Sequence, residues 1–312
     1  MRALVTGAAG FVGAHLVDHL LAQGDEVVGG VFGTGPTPRC PTVSLDVTDV
    51  QTCRRVLGEV QPDAIYHLAG IASPLSVSQN VSASLEVNVG GVHAILTAAA
   101  ELTSPPQVLV VSSGEVYGRA GCSGVPITEE SAPEPWNDYA LSKVMAEEVA
   151  HFFDRRGSVP VVIARPFNHT GPGQSDSFVV AAFAHQLAAI RSGKQPPVLR
   201  VGNLAARRDF TDVRDVVRAY RLLIAQGEAG IFNVASGRAI SIREVLDTLV
   251  QESGLTIHVE QDPARMRPAE VAEVVGSFDK LRNATGWQPL IPIEETVRSV
   301  YQWWVEREAA GI

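Results

Sequence analysis

A glycine-rich turn lies between an apolar strand and an amphipathic helix at the beginning of this chain. Residues Ala3–Thr6 predict the strand, and the apolar positions of Phe11–Leu21 recur at helical spacing. Between them, Gly7, Gly10 and Gly13 form a G-x-x-G-x-x-G turn. Small residues there let main-chain N–H groups and the helix N-terminus approach a pyrophosphate. A glycine turn without a ligand is the alternative. The position of the turn favours a dinucleotide held by Gly7, Gly10, Phe11, Val12 and Gly13.

Strands and helices then alternate regularly as far as residue 170, which predicts an α/β, Rossmann-type doubly wound parallel sheet. With 312 residues, 46% of them hydrophobic, the chain can bury a sizeable core. Helical patterns dominate after residue 170. We therefore expect a dinucleotide-binding domain over residues 1–170 and a smaller, mostly helical substrate lobe over 171–312, with exchange of chain between them. The further predicted strands are Glu26–Phe32, Thr42–Leu45, Asp63–Leu68, Gln107–Val111, Val159–Ala164, Val198–Val201 and Ile231–Val234. The further predicted helices are Ser84–Leu102, Ser177–Ile190, Val213–Ala225, Ile242–Glu252 and Ile293–Trp304.

The ends of three early strands predict further contacts to a dinucleotide. The second strand ends at Phe32 without the carboxylate that bonds the ribose 2′-hydroxyl in NAD-selective folds. This favours NADP(H), with NAD(H) also possible. Arg39 either assists a 2′-phosphate or is a plain surface residue. The third strand ends at Asp46 and Val47, where a carboxylate could meet the adenine amino group. The fourth ends in residues that let a cofactor lie close, Leu68, Ala69 and Gly70.

Tyr139 and Lys143 are four residues apart on a predicted helix and so project from the same face. A cation beside a phenol favours the phenolate and brings its pKa towards neutral pH. The same ammonium can also bind ribose hydroxyls. A surface helix would explain this spacing taken alone. Together with the other segments, it predicts a catalytic pair that also contacts the cofactor.

The fifth predicted strand delivers Ser113, Gly114 and Glu115 at its carboxyl end, where ligands of open α/β sheets bind. Ser113 can donate a hydrogen bond to a carbonyl oxygen. Glu115 can act as an acid, a base or a hydroxyl anchor. An ordinary turn with capping serines explains these residues equally well.

Arginines of the second half suit a diphosphate, because a planar guanidinium binds phosphate oxygens in bidentate fashion. Arg207 and Arg208 lie near Asp209, Asp212 and Asp215, and Arg267 lies near Glu270, so structural ion pairs are the alternative. We favour phosphate binding for Arg267 and an ion pair for Arg207. His169 is expected to be a hydrogen-bonded structural residue, and the Trp303–Trp304 pair to lie in the core or an interface.

Composition excludes several classes of protein. The net charge of −9, without a basic run, argues against nucleic-acid binding. The odd count of three cysteines, Cys40, Cys53 and Cys122, lacks metal-ligand spacing, and we interpret them as ordinary thiols in a reducing compartment. The N-terminal segment resembles no signal peptide, and no apolar run reaches membrane-spanning length. We expect a cytoplasmic protein with neither a metal nor a membrane partner.

These motifs together resemble those of extended short-chain dehydrogenase/reductases, the family of nucleotide-sugar epimerases, dehydratases and reductases. The resemblance covers essentially the whole chain and is carried by the glycine turn, Ser113, Tyr139-x-x-x-Lys143 and Arg165-Pro-Phe-Asn168. The segments after residue 166 are similar to those of one branch, the GDP-4-keto-6-deoxy-D-mannose reductases: 167–174, Val201-Gly-Asn-Leu, 208–215, Arg267-Pro-Ala-Glu270 and Thr285-Gly-Trp287.

The resemblance implies a role for each matching residue. Ser113 and Tyr139 would hold the substrate carbonyl oxygen, Tyr139 would supply a proton, and Lys143 would bind the nicotinamide ribose. The nucleotide diphosphate would contact Asn168, Arg208, Arg267 and Glu270. The implied product is GDP-D-rhamnose, and the implied assembly is a homodimer.

Two other functions stay open. A 4,6-dehydratase or 4-epimerase of the same family would use the same tyrosine and lysine, and Glu115 also occurs in the dehydratases. A non-catalytic NAD(P)-sensing module would have no need for Ser113, Tyr139 and Lys143 together.

Overall fold

The computed structural model describes residues 1–33, 35–123, 125–265 and 271–311, with only the main chain for 119–123. In chain order, the strands are β1 (Arg2–Thr6), β2 (Glu26–Val31), β3 (Thr42–Ser44), β4 (Ala64–His67), β5 (Gln107–Val111), β6 (Val161–Pro166), β7 (Asn168–Thr170), β8 (Val198–Val201), β9 (Arg207–Asp212), β10 (Gly230–Val234), β11 (Ala239–Ser241), β12 (His258–Gln261) and β13 (Glu273–Val274). The helices are α1 (Phe11–Ala22), α2 (Val50–Val60), α3 (Pro74–Gln79), α4 (Val81–Leu85), α5 (Gly91–Ala100), α6 (Asp138–Arg155), α7 (Val179–Arg191), α8 (Val213–Ala225), α9 (Ile242–Ser253), α10 (Asp279–Thr285) and α11 (Ile293–Ala310).

Seven parallel strands form the central sheet in the order β10-β6-β5-β4-β1-β2-β3. The order reverses beside β1, which pairs with β2 on one side and with β4 on the other. Every residue of β4 and β6 is buried, as expected for strands covered by helices on both faces. The predicted doubly wound Rossmann-type fold is therefore confirmed.

Two apolar layers cover the two faces of this sheet. On one face, side chains of α1, α8 and α10 pack with the strands and include Leu16, Tyr220 and Leu281. On the other face, α2, α5 and α6 contribute residues such as Val56, Ile95 and Ala146. Because the strands are held from both sides, their carboxyl ends form a rigid edge on which side chains can be positioned.

The second half of the chain contributes to both parts of the molecule. Strand β10 extends the central sheet beside β6, and α8 packs against α1. In contrast, α7, α9 and α11 bury a separate apolar cluster that includes Leu187, Leu246 and Val300. Short strands β7, β9, β11 and β13 pair above the sheet edge, and β8 pairs with β12. The division at residue 170 stays a prediction, and the returning elements agree with the expected exchange of chain.

The predicted helix Ser84–Leu102 is interrupted. Helix α4 ends at Leu85, a π-helical turn spans Glu86–Gly90, and α5 begins at Gly91. The interruption surrounds Asn88, whose side chain bonds residues outside the helix. None of the helices in the described part of the chain combines the length and the apolar character needed to cross a bilayer.

Candidate active site

The glycine turn after β1 is closed so tightly that it excludes side chains. A methyl group on Gly13 would lie 2.2 Å from the Gly7 carbonyl oxygen, and Gly7 itself has a φ of +69°. Helix α1 begins directly after Gly10 and carries no acidic residue in its first turn. The first N–H groups of a helix lack intrahelical acceptors and attract anions. The turn therefore fits the pyrophosphate of a dinucleotide, with Phe11 and Val12 in that first turn.

The end of β4 is fixed beside this turn by Thr6. The Thr6 hydroxyl oxygen accepts hydrogen bonds from the main-chain N–H groups of Leu68 and Ala69, both at 3.1 Å, and lies 3.0 Å from His67 Nδ1. Because two donors occupy the oxygen, its proton is available to Nδ1, which assigns the His67 proton to Nε2. Burial and the Lys143 charge lower the pKa of His67 to about 3, so the ring is neutral. Sequence reasoning missed this arrangement, although the Thr6–His67 pair occupies adjacent strand ends.

Gly70 brings this segment against the helix that carries the tyrosine. A methyl group on Gly70 would lie 3.0 Å from Asn88 Oδ1 and 3.7 Å from Lys143 Nζ. The Asn88 amide accepts from Ile71 N at 2.7 Å and donates to Ser142 Oγ at 3.0 Å. Asn88 thus ties the segment after β4 to α6. The sequence predicts this segment only as part of the helix Ser84–Leu102, and no local signal indicates the π-helical turn.

Two other residues predicted to bind the cofactor, Asp46 and Val47, contact other residues of the protein. The Asp46 carboxylate accepts from the main chain and hydroxyl of Thr48, at 2.9 and 2.7 Å. Val47 is buried against Gly91. The Arg39 side chain is 82% exposed and lies 3.8 Å from Asp18 of α1, which agrees with its alternative as a surface residue.

Ser113, Glu115, Tyr139 and Lys143 meet where β5 ends and α6 begins. Helix α6 is capped by Asn137, whose side chain accepts from Ala140 N at 2.7 Å. Ser113 Oγ accepts from Glu115 N at 3.1 Å, and its side chain is hydrogen-bonded to Tyr139. Lys143 Nζ donates to the Val111 carbonyl oxygen at 2.9 Å and lies 6.0 Å from the centre of the Tyr139 ring. The residues predicted from the sequence as a catalytic set are therefore neighbours.

The electrostatics of this set differ from the expectation that Lys143 lowers the pKa of Tyr139. Burial raises the pKa of Tyr139 to about 12, the hydrogen bond with Ser113 lowers it, and the Glu115 charge raises it. Burial lowers the pKa of Lys143 to about 8, against the opposing effect of Glu147. Desolvation dominates the pKa of Tyr139 because the residue is only 8% exposed, and the Lys143 ammonium is directed to the Val111 carbonyl oxygen.

A buried ion pair connects α6 to strand β6. Arg165 of β6 donates from Nε and Nη2 to the two carboxylate oxygens of Glu147, at 2.8 and 2.6 Å, and both side chains are at most 4% exposed. Ser112 also donates to Glu147. The Arg165 guanidinium lies 4.7 Å from the centre of the Tyr117 ring. Since Glu147 follows Lys143 by one helical turn, this pair links the position of Lys143 to the ends of β5 and β6.

A pocket of about 370 Å³ is lined by Asn168 and Arg208, two of the predicted substrate residues. The Arg208 charge lowers the pKa of Glu115, while burial raises it more strongly. This interaction joins the pocket to the catalytic set. A methyl group on Gly114 would lie 3.0 Å from the Phe167 ring, so Gly114 lets this aromatic approach. The other two predicted substrate residues, Arg267 and Glu270, lie outside the described residues.

The remaining predictions concern structural residues. Arg207 bonds Glu273 at 2.8 Å and Glu244 at 3.3 Å, so it forms ion pairs, although not with the aspartates nearby in sequence. His169 bonds the Phe167 carbonyl oxygen at 3.0 Å and stacks parallel to Phe11, as expected for a structural residue. Trp303 and Trp304 pack in the cluster of α7, α9 and α11. Burial raises the pKa of Cys53 to about 12 and also raises that of Cys40, which agrees with ordinary thiols; the Cys122 side chain lies outside the description.

A doubly wound parallel sheet, a glycine turn before α1, and a Ser113–Tyr139–Lys143 set at the strand ends define an NAD(P)-dependent enzyme of the extended short-chain dehydrogenase/reductase class. Residues 4–300 match the family model described as GDP-mannose 4,6 dehydratase, and the chain belongs to this family.

Individual relatives give a finer comparison. The chain is 38% identical to the GDP-6-deoxy-D-mannose reductase of Pseudomonas aeruginosa over 98% of each protein. It superposes on the structure of RMD from Pseudomonas aeruginosa complexed with NADPH with a TM-score of 0.87, at 36% identity, covering 98% of this chain and 99% of that one. It superposes on the Thermus thermophilus UDP-glucose 4-epimerase complex with NAD with a TM-score of 0.87, at 30% identity, covering 97% and 99%.

Proposed function

We propose that this enzyme reduces the 4-keto group of GDP-4-keto-6-deoxy-D-mannose to give GDP-D-rhamnose. The observation that carries the proposal is the 38% identity to a GDP-6-deoxy-D-mannose reductase over 98% of both chains. The site supports it, because the Ser113–Tyr139–Lys143 set is coupled through Glu115 to a pocket lined by Arg208.

The catalytic residues take distinct roles in this proposal. When bound, the reduced nicotinamide supplies the hydride that reaches carbon 4 of the sugar. Ser113 and Tyr139 hold the carbonyl oxygen, and Tyr139 gives it a proton as negative charge develops. A pKa of about 12 suits this direction, since the phenol begins the reaction protonated. Lys143 lies on the same helix face and stabilises the phenolate that remains.

The proposed cofactor is NADP(H), with NAD(H) accepted. Strand β2 ends at Val31 and is followed by Phe32. The first residue after the strand therefore carries no carboxylate that would repel a 2′-phosphate. The two structural relatives were solved with NADPH and with NAD. The glycine turn holds the pyrophosphate, and Lys143 binds the nicotinamide ribose. Beyond the turn, the cofactor lies along Asp46, Val47, Leu68, Ala69 and Gly70.

On the substrate side, we assign the nucleotide diphosphate to Asn168 and Arg208, which line the same pocket. The half-buried Arg208 guanidinium can bind phosphate oxygens in bidentate fashion. Glu115 is assigned to the sugar end, where burial raises the pKa of its carboxyl group. Arg267 and Glu270 keep their predicted roles as contacts to the nucleotide diphosphate, and Ser113 and Gly114 border the sugar.

A 4,6-dehydratase is the second candidate, because the matching family model carries that description and Glu115 lies within the site. The direction of net electron flow separates the two. A dehydratase returns the electrons to carbon 6 and consumes no cofactor, whereas a reductase consumes one equivalent per ketone. Elimination also needs a group that protonates the leaving hydroxyl, so Glu115 would have to serve two carbons.

The deciding experiment follows NADPH absorbance with purified protein. Stoichiometric oxidation of NADPH with GDP-4-keto-6-deoxy-D-mannose, and no change of GDP-mannose with NADP⁺, is the expected result. Conversion of GDP-mannose to the keto sugar without added reductant would overturn the reductase assignment. Tight cofactor binding without turnover of either nucleotide sugar would instead favour an NAD(P)-sensing module.

The proposed assembly is a cytoplasmic homodimer formed through α5 and α6. Helix α6 exposes Leu141, Met145 and Phe152 on one face, with exposed fractions of 44%, 40% and 47%. Their spacing of four and seven residues aligns them along the helix. An exposed apolar stripe of this kind favours a two-fold contact in which both copies present the same surface.

A further inference from the structure

Among the described residues that line the pocket shared by Asn168 and Arg208, one carries a carboxylate, Asp176. Asp176 lies in the segment before α7, and its side chain borders the same cavity of about 370 Å³. Most of the other lining side chains are apolar, including Val179, Phe183 and Phe210. A carboxylate beside apolar walls accepts hydrogen bonds and donates none when it is ionised. This pocket therefore favours a flat ligand with N–H groups on one edge.

The Asp176 carboxylate is held in place by a support outside the pocket. His185 Nδ1 lies 2.9 Å from Asp176 Oδ2, and His185 Nε2 lies 3.4 Å from Glu308 Oε1. The imidazole stacks on Trp304 with a centroid distance of 4.2 Å and an interplanar angle of 18°. Glu308 also forms a salt bridge with Lys194, at 2.5 Å. In the described part of the chain, no donor is hydrogen-bonded to the second carboxylate oxygen of Asp176, Oδ1.

Two of the charged residues that line the pocket, Arg208 and Asp176, are connected to different parts of the molecule. Arg208 interacts with Glu115 and, through it, with the catalytic tyrosine. Asp176 contacts His185 of α7, and through it α11. If the diphosphate binds at Arg208, the base of the same nucleotide extends towards the apolar walls and Asp176.

The edges of the nucleobases differ in what they offer a carboxylate. Guanine presents two adjacent donors, N1–H and the 2-amino group, which match two acceptor oxygens. Uracil and thymine present one N–H between two carbonyl oxygens, which a carboxylate repels. Adenine places a ring acceptor beside its amino group. Asp176 is a half-exposed acceptor beside apolar walls. It therefore discriminates among bases by hydrogen bonds that one base makes and the others cannot.

We propose that Asp176, oriented by His185, accepts hydrogen bonds from N1–H and the 2-amino group of guanine and makes this pocket select guanine over pyrimidine nucleotides. The inference rests on the proposed function, in that a nucleotide sugar occupies this pocket. It goes further by assigning the choice of base to one side chain.

The test measures binding of GDP, UDP and XDP to the full chain by calorimetry, with Asp176→Asn beside the wild type. Loss of the charge-assisted hydrogen bonds should weaken GDP about tenfold to a hundredfold. UDP affinity should not fall, because uracil has no donor pair to lose. XDP carries a carbonyl in place of the 2-amino group, so the amide of the variant should bind it about tenfold more tightly than the wild type does.

Glu308→Gln is the matched control, because it disturbs the outer end of the same support without lining the pocket. It should keep the ratio of GDP to UDP affinity. Equal loss of GDP and UDP in Asp176→Asn, with a lowered melting temperature, would show a structural ion pair and overturn the proposal. Unchanged GDP affinity would overturn it as well.

The proposed reaction is tested separately, by following NADPH oxidation by the wild type with the keto sugar. A wild type without reductase activity would reject the proposed reaction while leaving the choice of base measurable. Reductase activity without guanine selectivity would support the proposed reaction and overturn the assignment of the base choice to Asp176.

Discussion

Tyr139 is protonated at neutral pH in this structure, and this state is the one that reduction requires. Burial raises the pKa of its phenol most, the hydrogen bond with Ser113 lowers it and the Glu115 charge raises it, which together give a pKa of about 12. A protonated phenol can donate to an oxygen that gains negative charge during reduction. Tyr139 is thus both protonated and held in position to act as the proton donor.

Replacing this donor gives the first prediction. Tyr139→Phe should lower kcat about 10²–10⁴-fold, the usual effect of losing a positioned acid. Cofactor affinity and melting temperature should change little, because the ring still fills its site. Steady-state kinetics and a fluorescence titration with NADPH measure the two effects. Near-normal kcat in this variant would remove Tyr139 from the mechanism.

Lys143 predicts an alkaline limit to activity. Its pKa of about 8 means that the ammonium is charged below this pH and neutral above it. If the charge stabilises the phenolate, kcat should fall as the pH rises through about 8, approaching tenfold per unit. A pH profile of kcat between 6 and 10 measures the limit.

Lys143→Arg is the control for this assignment, since a guanidinium keeps its charge throughout that range. The variant is expected to be slower, but its kcat should lose the fall near pH 8. Persistence of the same fall would assign it to another group.

Sequence reasoning was more successful with the identity of these residues than with their charge states. The spacing of Tyr139 and Lys143 predicts a shared helix face, which the structure confirms. It does not predict desolvation, because burial of a phenol or ammonium depends on strands distant in sequence. The support from Glu147 and Arg165 was also missed, since 18 residues separate the two partners along the chain.

At the scale of elements, the glycine turn and α1 form one unit with strict steric limits. Gly13 lies in α1, yet a methyl group on it would meet the Gly7 carbonyl oxygen at 2.2 Å. Gly58 lies in α2, where the same methyl group would contact nothing within 4 Å. The two helical glycines therefore allow a matched pair of substitutions.

Gly13→Ala should weaken or abolish cofactor binding and lower the melting temperature, because the turn must open to admit the methyl group. Gly58→Ala should keep cofactor binding and stabilise the fold by roughly 0.5–1 kcal/mol, through the better helix propensity of alanine. Urea unfolding and NADPH titration of both variants provide the measurement. Equal behaviour of the two would show that the turn tolerates side chains.

Regular elements were well predicted where local periodicity determines them, and α8 has the predicted bounds Val213–Ala225. The prediction failed where a long-range hydrogen bond determines the backbone. The π-helical turn around Asn88 depends on Ile71 and Ser142, which no local pattern reveals. Strand β9 was missed for a similar reason, because Arg207–Asp212 is polar and its partners lie in β7, β11 and β13.

At the scale of the whole molecule, the second half of the chain returns to the central sheet more than once. Strand β10 and helices α8 and α10 join this sheet and share its core. The proposed cofactor and substrate sites therefore share one framework. Phe11 of α1 stacks against His169, next to the pocket residue Asn168. We infer that relative motion of the two sites is small.

The last prediction concerns the assembly of two such molecules. Leu141 and Met145 of α6 are exposed although both are large apolar residues, and His93 of α5 is exposed as well. In a two-fold contact each copy would present this stripe to the other, so a single substitution acts twice. Met145→Glu would place two carboxylates in an apolar contact and should weaken a dimer roughly a hundredfold or more. Light scattering after size-exclusion chromatography measures the mass at micromolar concentration.

Leu290→Glu provides the matched control, because Leu290 is 61% exposed and lies before α11, away from the stripe. Its mass should equal that of the wild type. The catalytic residues do not belong to the stripe, so Met145→Glu should keep reductase activity while it becomes monomeric. A monomeric wild type would contradict the dimer. A dimer unaffected by Met145→Glu would place the contact on another surface, because two buried, unpaired carboxylates could not be accommodated at the α5–α6 face.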